Sequence, residues 1–151
     1  MTFSIIFVFS LFKVLYGLII FNSSNSYGQL GNGTTESSDK LIKIKEDVKF
    51  KKISAGEISN LTIDNEGNLW SCGENNKGQL GNGTTTNNSI PALVKADKKF
   101  IQIAAGDWHS LALDSDGTIW GWGRNADGEL GTLKNRFDSR TVPVKIVPAY
   151  K

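Results

Sequence analysis

GQLGNGTT occupies residues 28–35 and returns letter for letter at 78–85, and a worn copy, GELGTLK, begins at 128. A catalytic loop is needed once, so a phrase that returns at fixed spacing marks a repeated structural unit. The spacing of 50 extends well beyond the phrase. AGE at 55–57 returns as AGD at 105–107, DNEGNLW at 64–70 as DSDGTIW at 114–120, and DVKFKKI at 47–53 as DKKFIQI at 97–103. The 151 residues hold roughly three such periods.

Within a period, apolar runs of strand length alternate in polarity and are separated by turn residues. PALVKA (91–96), FIQIAAG (100–106), HSLAL (109–113) and TIWGWG (118–123) read as four strands, with DSDG (114–117) as a hairpin turn. Alternation places Ile101, Ile103 and Ala105 on one face, Leu111 with Leu113, and Trp120 with Trp122. No stretch of the repeats has helical length and spacing without glycine breaks. Four short antiparallel strands per period is the pattern of a propeller blade. The expected fold is all-β, an incomplete β-propeller of four-stranded antiparallel blades with an apolar N-terminal segment. Residues 40–72 and 91–122 are expected to form one sheet each, packed face to face. VPVKIV (143–148) is expected to open a third unit.

The glycine-rich phrase then reads as a blade-to-blade joint. Gly28, Gly31, Gly78, Gly81, Gly128 and Gly131 supply backbone angles or close approaches that a side chain forbids. Leu30, Leu80 and Leu130 are expected to plug the gap between sheets, and Gln79 to hydrogen-bond loop backbone that has no strand partner. The joints are 28–35, 78–85 and 128–131.

Residues 1–22 differ from 23–151, the repeat region. FSIIFVFSLFKVLYGLIIF (3–21) is long and apolar enough for a bilayer span or a secretory leader, yet Lys13 interrupts it and no A-x-A site follows. In the repeat register, GLIIFNSSNSYGQLG (17–31) falls on GTIWGWGRNADGELG (117–131), which makes 17–22 the worn last strand of a preceding unit. Both readings stay open. The first makes the chain exported or membrane-associated through 3–21; the second leaves it intracellular. A net charge of +2 is too small to argue for nucleic acid, and the lysines between Lys40 and Lys52 are interspersed with Asp39, Glu46 and Asp47. A single cysteine, Cys72, excludes an internal disulfide and a cysteine zinc site.

AAGDWHSLALDSDGTIWGWGRNADGELG (104–131) resembles the regulator of chromosome condensation repeat, as does SAGEISNLTIDNEGNLWSCGENNKGQLG (54–81). SSNSYGQLGNGTT (23–35) keeps Asn25 and the joint but has Ser23 where the pattern has glycine. The resemblance implies a β-propeller, usually of seven blades, in a family of which most members are interaction modules. The founding member is a guanine-nucleotide exchange factor for the small GTPase Ran and binds chromatin. Its exchange loops match nothing here.

Chemistry-bearing motifs are sparse. His109 is the only histidine; Ser59 takes its place one unit earlier, and the family has histidine there as part of the blade. GWGRNA (121–126) fits the loose dinucleotide pattern but leads into a joint instead of a helix. Asp114, Asp116 and Gly117 resemble the start of a calcium loop without its later glutamate, so a hairpin turn is the simpler reading. Cys72 lies in register with Trp122 and reads as a small buried hydrophobe. No catalytic, cofactor-binding or metal-ligating residue emerges. Trp108, which replaces Ile58, and Arg124, which replaces Glu74, are the candidate interface residues.

The expected function is a non-catalytic repeat module for protein–protein interaction. The alternatives are an exchange-factor-like regulator of a small GTPase and a non-functional fragment of a longer repeat protein. The expected partner is a protein whose identity the sequence does not carry. Self-association, or docking to other repeat blades, follows from blade faces left uncovered in an incomplete ring.

Overall fold

The structure, a computed structural model, describes residues 18–20, 24–39, 42–45, 47–94, 96–131 and 138–146. Most of the apolar 3–21 segment, and the end of VPVKIV, lie outside them. Among the described residues there are ten strands and no helix, and therefore no helix long and apolar enough to cross a membrane.

The first blade consists of β3 (Phe50–Ala55), β4 (Ser59–Asp64), β5 (Leu69–Gly73) and β6 (Asn88–Leu93), antiparallel and in that order. The second repeats it with β7 (Phe100–Ala105), β8 (His109–Asp114), β9 (Ile119–Gly123) and β10 (Arg140–Lys145). A two-stranded sheet pairs β1 (Leu18–Ile20) with β2 (Ile42–Ile44), Ile20 opposite Ile42. This is the antiparallel pairing that β5 makes with β6, where Trp70 lies opposite Leu93.

The blade boundaries depart from the sequence expectation. The first blade runs from 50 to 93, not 40 to 72, because its fourth strand follows the joint instead of preceding it. PALVKA accordingly contributes to the outer strand of the first blade, and Arg140–Lys145 closes the second blade where a third unit was expected to open. Polarity alternation identifies a strand but carries no information about its partner. The phrase at 78–85 is thus an excursion between β5 and β6 of one blade, not a crossing from one sheet to the next.

The two blades pack face to face around one core. Leu61, Ile63, Leu69 and Val94 from the first meet Phe100, Ala112 and Trp122 from the second, with Ile103, Ala105 and Trp120 partly buried against them. The expected trio of Ile101, Ile103 and Ala105 is broken by a β-bulge between Phe100 and Gln102. The extra residue turns Phe100 into the core and leaves Ile101 exposed. The first blade has the same bulge between Phe50 and Lys52 and buries Phe50 with Leu30 and Ile44 in a second cluster.

Each blade's inner hairpin is closed by an aspartate. Asp114 accepts the backbone N–H groups of Asp116 (2.9 Å) and Thr118 (2.8 Å), and the indole N–H of Trp120 (2.8 Å). Asp64 does the same with Glu66, Asn68 and Trp70. The Trp120 indole bond is the main cause holding the Asp114 carboxyl below its ordinary range. Burial pushes the Asp64 carboxyl up, but the bonds from Trp70 and Asn68 outweigh it, so it too is lowered. The DSDG stretch is a hairpin turn whose carboxylate is fully used.

Candidate interaction surface

The joints hold the polar machinery. Asn75, fully buried, accepts the N–H of Leu80 at 2.9 Å, and its amide lies within hydrogen-bond distance of the carbonyls of Thr84 (3.0 Å) and Thr86 (3.1 Å). Asn25 makes the corresponding bonds to Leu30, Thr34 and Glu36, and Asn125 accepts from Leu130. This asparagine organises the excursion; the sequence reading named Asn25 as part of the repeat pattern but set it outside the joint and gave it no role. Its signal was present as Asn25, Asn75 and Asn125 at intervals of 50.

The predicted joint residues lie around that asparagine. Leu30, Leu80 and Leu130 are all buried, and the Leu80 carbonyl accepts the Ser71 hydroxyl at 2.8 Å. The side chain of Gln79 accepts the Lys77 N–H (2.9 Å) and donates to Glu74 (3.3 Å). Gly78 has φ +80°, and a Cβ there would meet Thr141 Cα at 2.8 Å. At Gly28 a Cβ would meet Ser89 Cα at 2.5 Å. Gly128 and Gly131 adopt the same left-handed backbone, at φ +85° and +62°.

Although the joint belongs to one blade, it reaches the next. The Gln79 carbonyl accepts both the Ser110 hydroxyl (2.8 Å) and the Trp122 indole N–H (2.8 Å). One unit earlier, the Gln29 carbonyl accepts the Asn60 amide (2.6 Å) and the Cys72 thiol (3.5 Å). At Gly81 a Cβ would lie 2.7 Å from the Trp122 indole nitrogen, so glycine is what allows the ring to reach the carbonyl. Cys72 is buried and free, and burial pushes its thiol up to about 12. It is therefore a packing residue, not a nucleophile.

Trp108 and Arg124 come together at one end of the second blade. Trp108 is 41% exposed, with the guanidinium carbon of Arg124 5.7 Å from its ring centroid. Arg124 also pairs with Asp127 at 2.7 Å and with Glu129. The bond to Asp127 is the leading cause that raises Arg124. A guanidinium held by two carboxylates and placed over an indole has its charge balanced, which makes it a poor anion receptor and leaves the exposed ring as the apolar surface. The first blade has half-buried Ile58 and buried Glu74 in these places. His109 is half-buried at the β7–β8 corner, with its ring against Gly106. Among the described residues no cluster of histidine, cysteine and carboxylate could hold a metal ion.

A sequence profile described as the regulator of chromosome condensation (RCC1) repeat matches residues 66–113 and 116–150, and a second of the same description matches 100–129. The chain belongs to the regulator of chromosome condensation repeat family. No curated protein matches it. Solved structures do. Human WBSCR16 is 26% identical with a TM-score of 0.75, over 87% of this chain and 35% of its own. Prp20p from Saccharomyces cerevisiae, described with its binding properties to Gsp1p and histones, is 25% identical with a TM-score of 0.67, over 83% and 33%. Yeast RCC1 (Prp20) bound to Kap60, at 23% identity and a TM-score of 0.68, shares the fold. This chain spans about a third of the length of WBSCR16 and Prp20p.

Proposed function

We propose that this regulator of chromosome condensation repeat chain is a non-catalytic module for protein–protein interaction, with Trp108 braced by Arg124 as one contact. The observation that carries this reading is the exposed indole with a guanidinium over it that is already paired with carboxylates, at a position where the other blade has Ile58 and Glu74. Rigid aromatic anchors of this kind dominate interface energetics. The polar side chains that recur between repeats, Asp64, Asp114, Asn75 and Asn125, are engaged in turns and joints and are not free for catalysis. The binding of Gsp1p and histones by Prp20p, and of Kap60 by yeast RCC1, supports protein partners for blades of this type.

The test is binding of the full chain to a panel of nucleotide-loaded and nucleotide-free small GTPases, histones and a Kap60-type protein. Trp108→Ala is expected to weaken at least one interaction by about tenfold or more, the typical loss at an aromatic hot spot, with an unchanged melting temperature. Faster nucleotide release from a GTPase on addition of the chain would favour the exchange-factor reading instead. Binding that is insensitive to Trp108→Ala would remove that residue from the interface.

A further inference from the structure

We propose that Asn32 and Asn82 are self-acting deamidation sites, each held closed by the outer strand of the blade that follows, so that a joint takes a permanent covalent mark when that strand lets go. Water is the co-reactant.

The reactive pair is Asn-Gly, present at 32–33 and 82–83; the third joint has Thr132-Leu133 in its place. Asparagine is a thermolabile residue, and a following glycine leaves its own backbone nitrogen free to approach the side chain. In the reaction the glycine N–H gives its proton to solvent and the nitrogen attacks the asparagine Cγ. The new N–Cγ bond makes a tetrahedral centre with its negative charge on Oδ1. The Cγ–Nδ2 bond then breaks, and ammonia leaves with a proton from solvent. Water opens the resulting succinimide at either carbonyl, to aspartate or isoaspartate. One water is consumed, one ammonia is released, and nothing is oxidised or reduced.

The electrophile is prepared. Asn82 Oδ1 accepts the Thr84 N–H (3.0 Å), the Thr84 hydroxyl (2.8 Å) and the Asn75 amide (3.2 Å). Asn32 Oδ1 accepts the Thr34 N–H (3.1 Å) and hydroxyl (3.0 Å). These donors face the oxygen on which charge develops, an arrangement that lowers the barrier to attack on a carbonyl.

The nucleophile is withheld. The Gly83 N–H donates to the Thr141 carbonyl and the Gly33 N–H to the Ser89 carbonyl, each at 2.8 Å. A bonded backbone N–H yields its proton only when the bond opens. Both carbonyls lie in the same irregularity of an outer strand. Ser89, Ile90 and Pro91 stand opposite Cys72 alone, between the pairs Asn88–Gly73 and Ala92–Ser71. Thr141, Val142 and Pro143 stand opposite Trp122 alone, between Arg140–Gly123 and Val144–Gly121. The surplus residues bulge out of their own ladder, which turns a carbonyl to the preceding joint. Glycine at the head of each joint lets the strand close, since a Cβ at Gly28 would meet Ser89 and one at Gly78 would meet Thr141. Clasp and reactive pair therefore sit on different blades. Parting the blades frees the glycine nitrogen, while the donors to Oδ1, which belong to the joint itself, stay in place.

The experiment incubates the full chain in mildly alkaline buffer and maps aspartate and isoaspartate by peptide mass spectrometry, with hydrogen exchange at the Gly33 and Gly83 N–H followed in parallel. Both sites should deamidate at least about tenfold more slowly in the folded chain than in urea, because only the open fraction reacts. Gly78→Ala, which wedges the joint from β10, should speed Asn82 by about fivefold or more and leave Asn32 within about twofold; Gly28→Ala should do the reverse. Thr84→Val added to Gly78→Ala should slow Asn82 severalfold by removing one donor, and no slowing would refute the prepared electrophile. Equal rates in the folded and unfolded chain would overturn the proposal, as would both sites speeding together in a variant that keeps its melting transition. Where a substitution prevents folding, the unsubstituted chain decides. Across sub-denaturing urea, deamidation of Asn82 should rise in step with exchange of the Gly83 N–H, and that of Asn32 with the Gly33 N–H. Fast exchange at either glycine without deamidation of its asparagine, or deamidation while the N–H stays protected, would overturn the clasp.

Discussion

Replacing Asn75 tests whether the joint is held by its asparagine or by its glycines and leucine. In Asn75→Ala the Leu80 N–H, buried and bonded at 2.9 Å, has no acceptor, which costs about 2 kcal/mol. The amide bonds to Thr84 and Thr86 are lost too. Those two residues are exposed, so water replaces much of that loss, at about 0.5 kcal/mol each. The sum is about 3 kcal/mol against a total stability on the order of 5–15 kcal/mol. With a urea slope of about 1.5 kcal/mol per molar, the unfolding midpoint should fall by roughly 2 M. Tryptophan fluorescence reports the transition, and Asn76→Ala, at an exposed neighbouring position, should move it by less than about 0.5 kcal/mol. Asn75→Asp adds a signature in pH. The carboxylate keeps the bond from Leu80 but turns oxygen toward two carbonyls, so the folded state favours the protonated form. Its pKa is then raised by folding, and the penalty is absent below about pH 4 and grows as pH rises. An Asn75→Ala midpoint equal to that of Asn76→Ala, or an Asn75→Asp penalty that does not ease in acid, would refute the reasoning.

Leu69→Ala should cost about 3 kcal/mol and Ile119→Ala less than about 1 kcal/mol, since one side chain is 1% and the other 46% exposed; paired urea titrations decide it. Gly81→Ala and Gly117→Ala both strain a left-handed backbone, but only Gly81 has an indole 2.7 Å from the new methyl, whereas Gly117 has nothing within 4 Å. Gly81→Ala should therefore lower the melting temperature more, and an equal effect would contradict the close approach. Asp64 and Asp114 have lowered carboxyls, so their contribution is present above the unfolded value of about 4 and is lost as pH falls below it. Asp114→Asn should flatten the stability profile between about pH 2 and pH 5.

The all-β architecture, the period of 50 and the hairpin at each aspartate were legible in the sequence, because they are local. Alternation of polarity exposes a strand, and an Asp followed by Gly exposes its turn. The buried asparagine of the joint was also written there, but its role was not. An asparagine's value lies in which distant backbone groups it reaches, here eleven residues away at Thr86. Which strands share a sheet was decided only by the tertiary structure. Asn88–Leu93 has the same alternation whether it begins one blade or closes another, and the choice is made by backbone hydrogen bonds to Leu69–Gly73 across the joint. The bulges that turn Phe50 and Phe100 inward were equally hidden, since one extra residue reverses every face that alternation assigns. Burial was decided in the same way. Leu69 and Ile119 occupy one position of the repeat, and only the presence of a neighbouring blade makes the first a core residue and leaves the second in water.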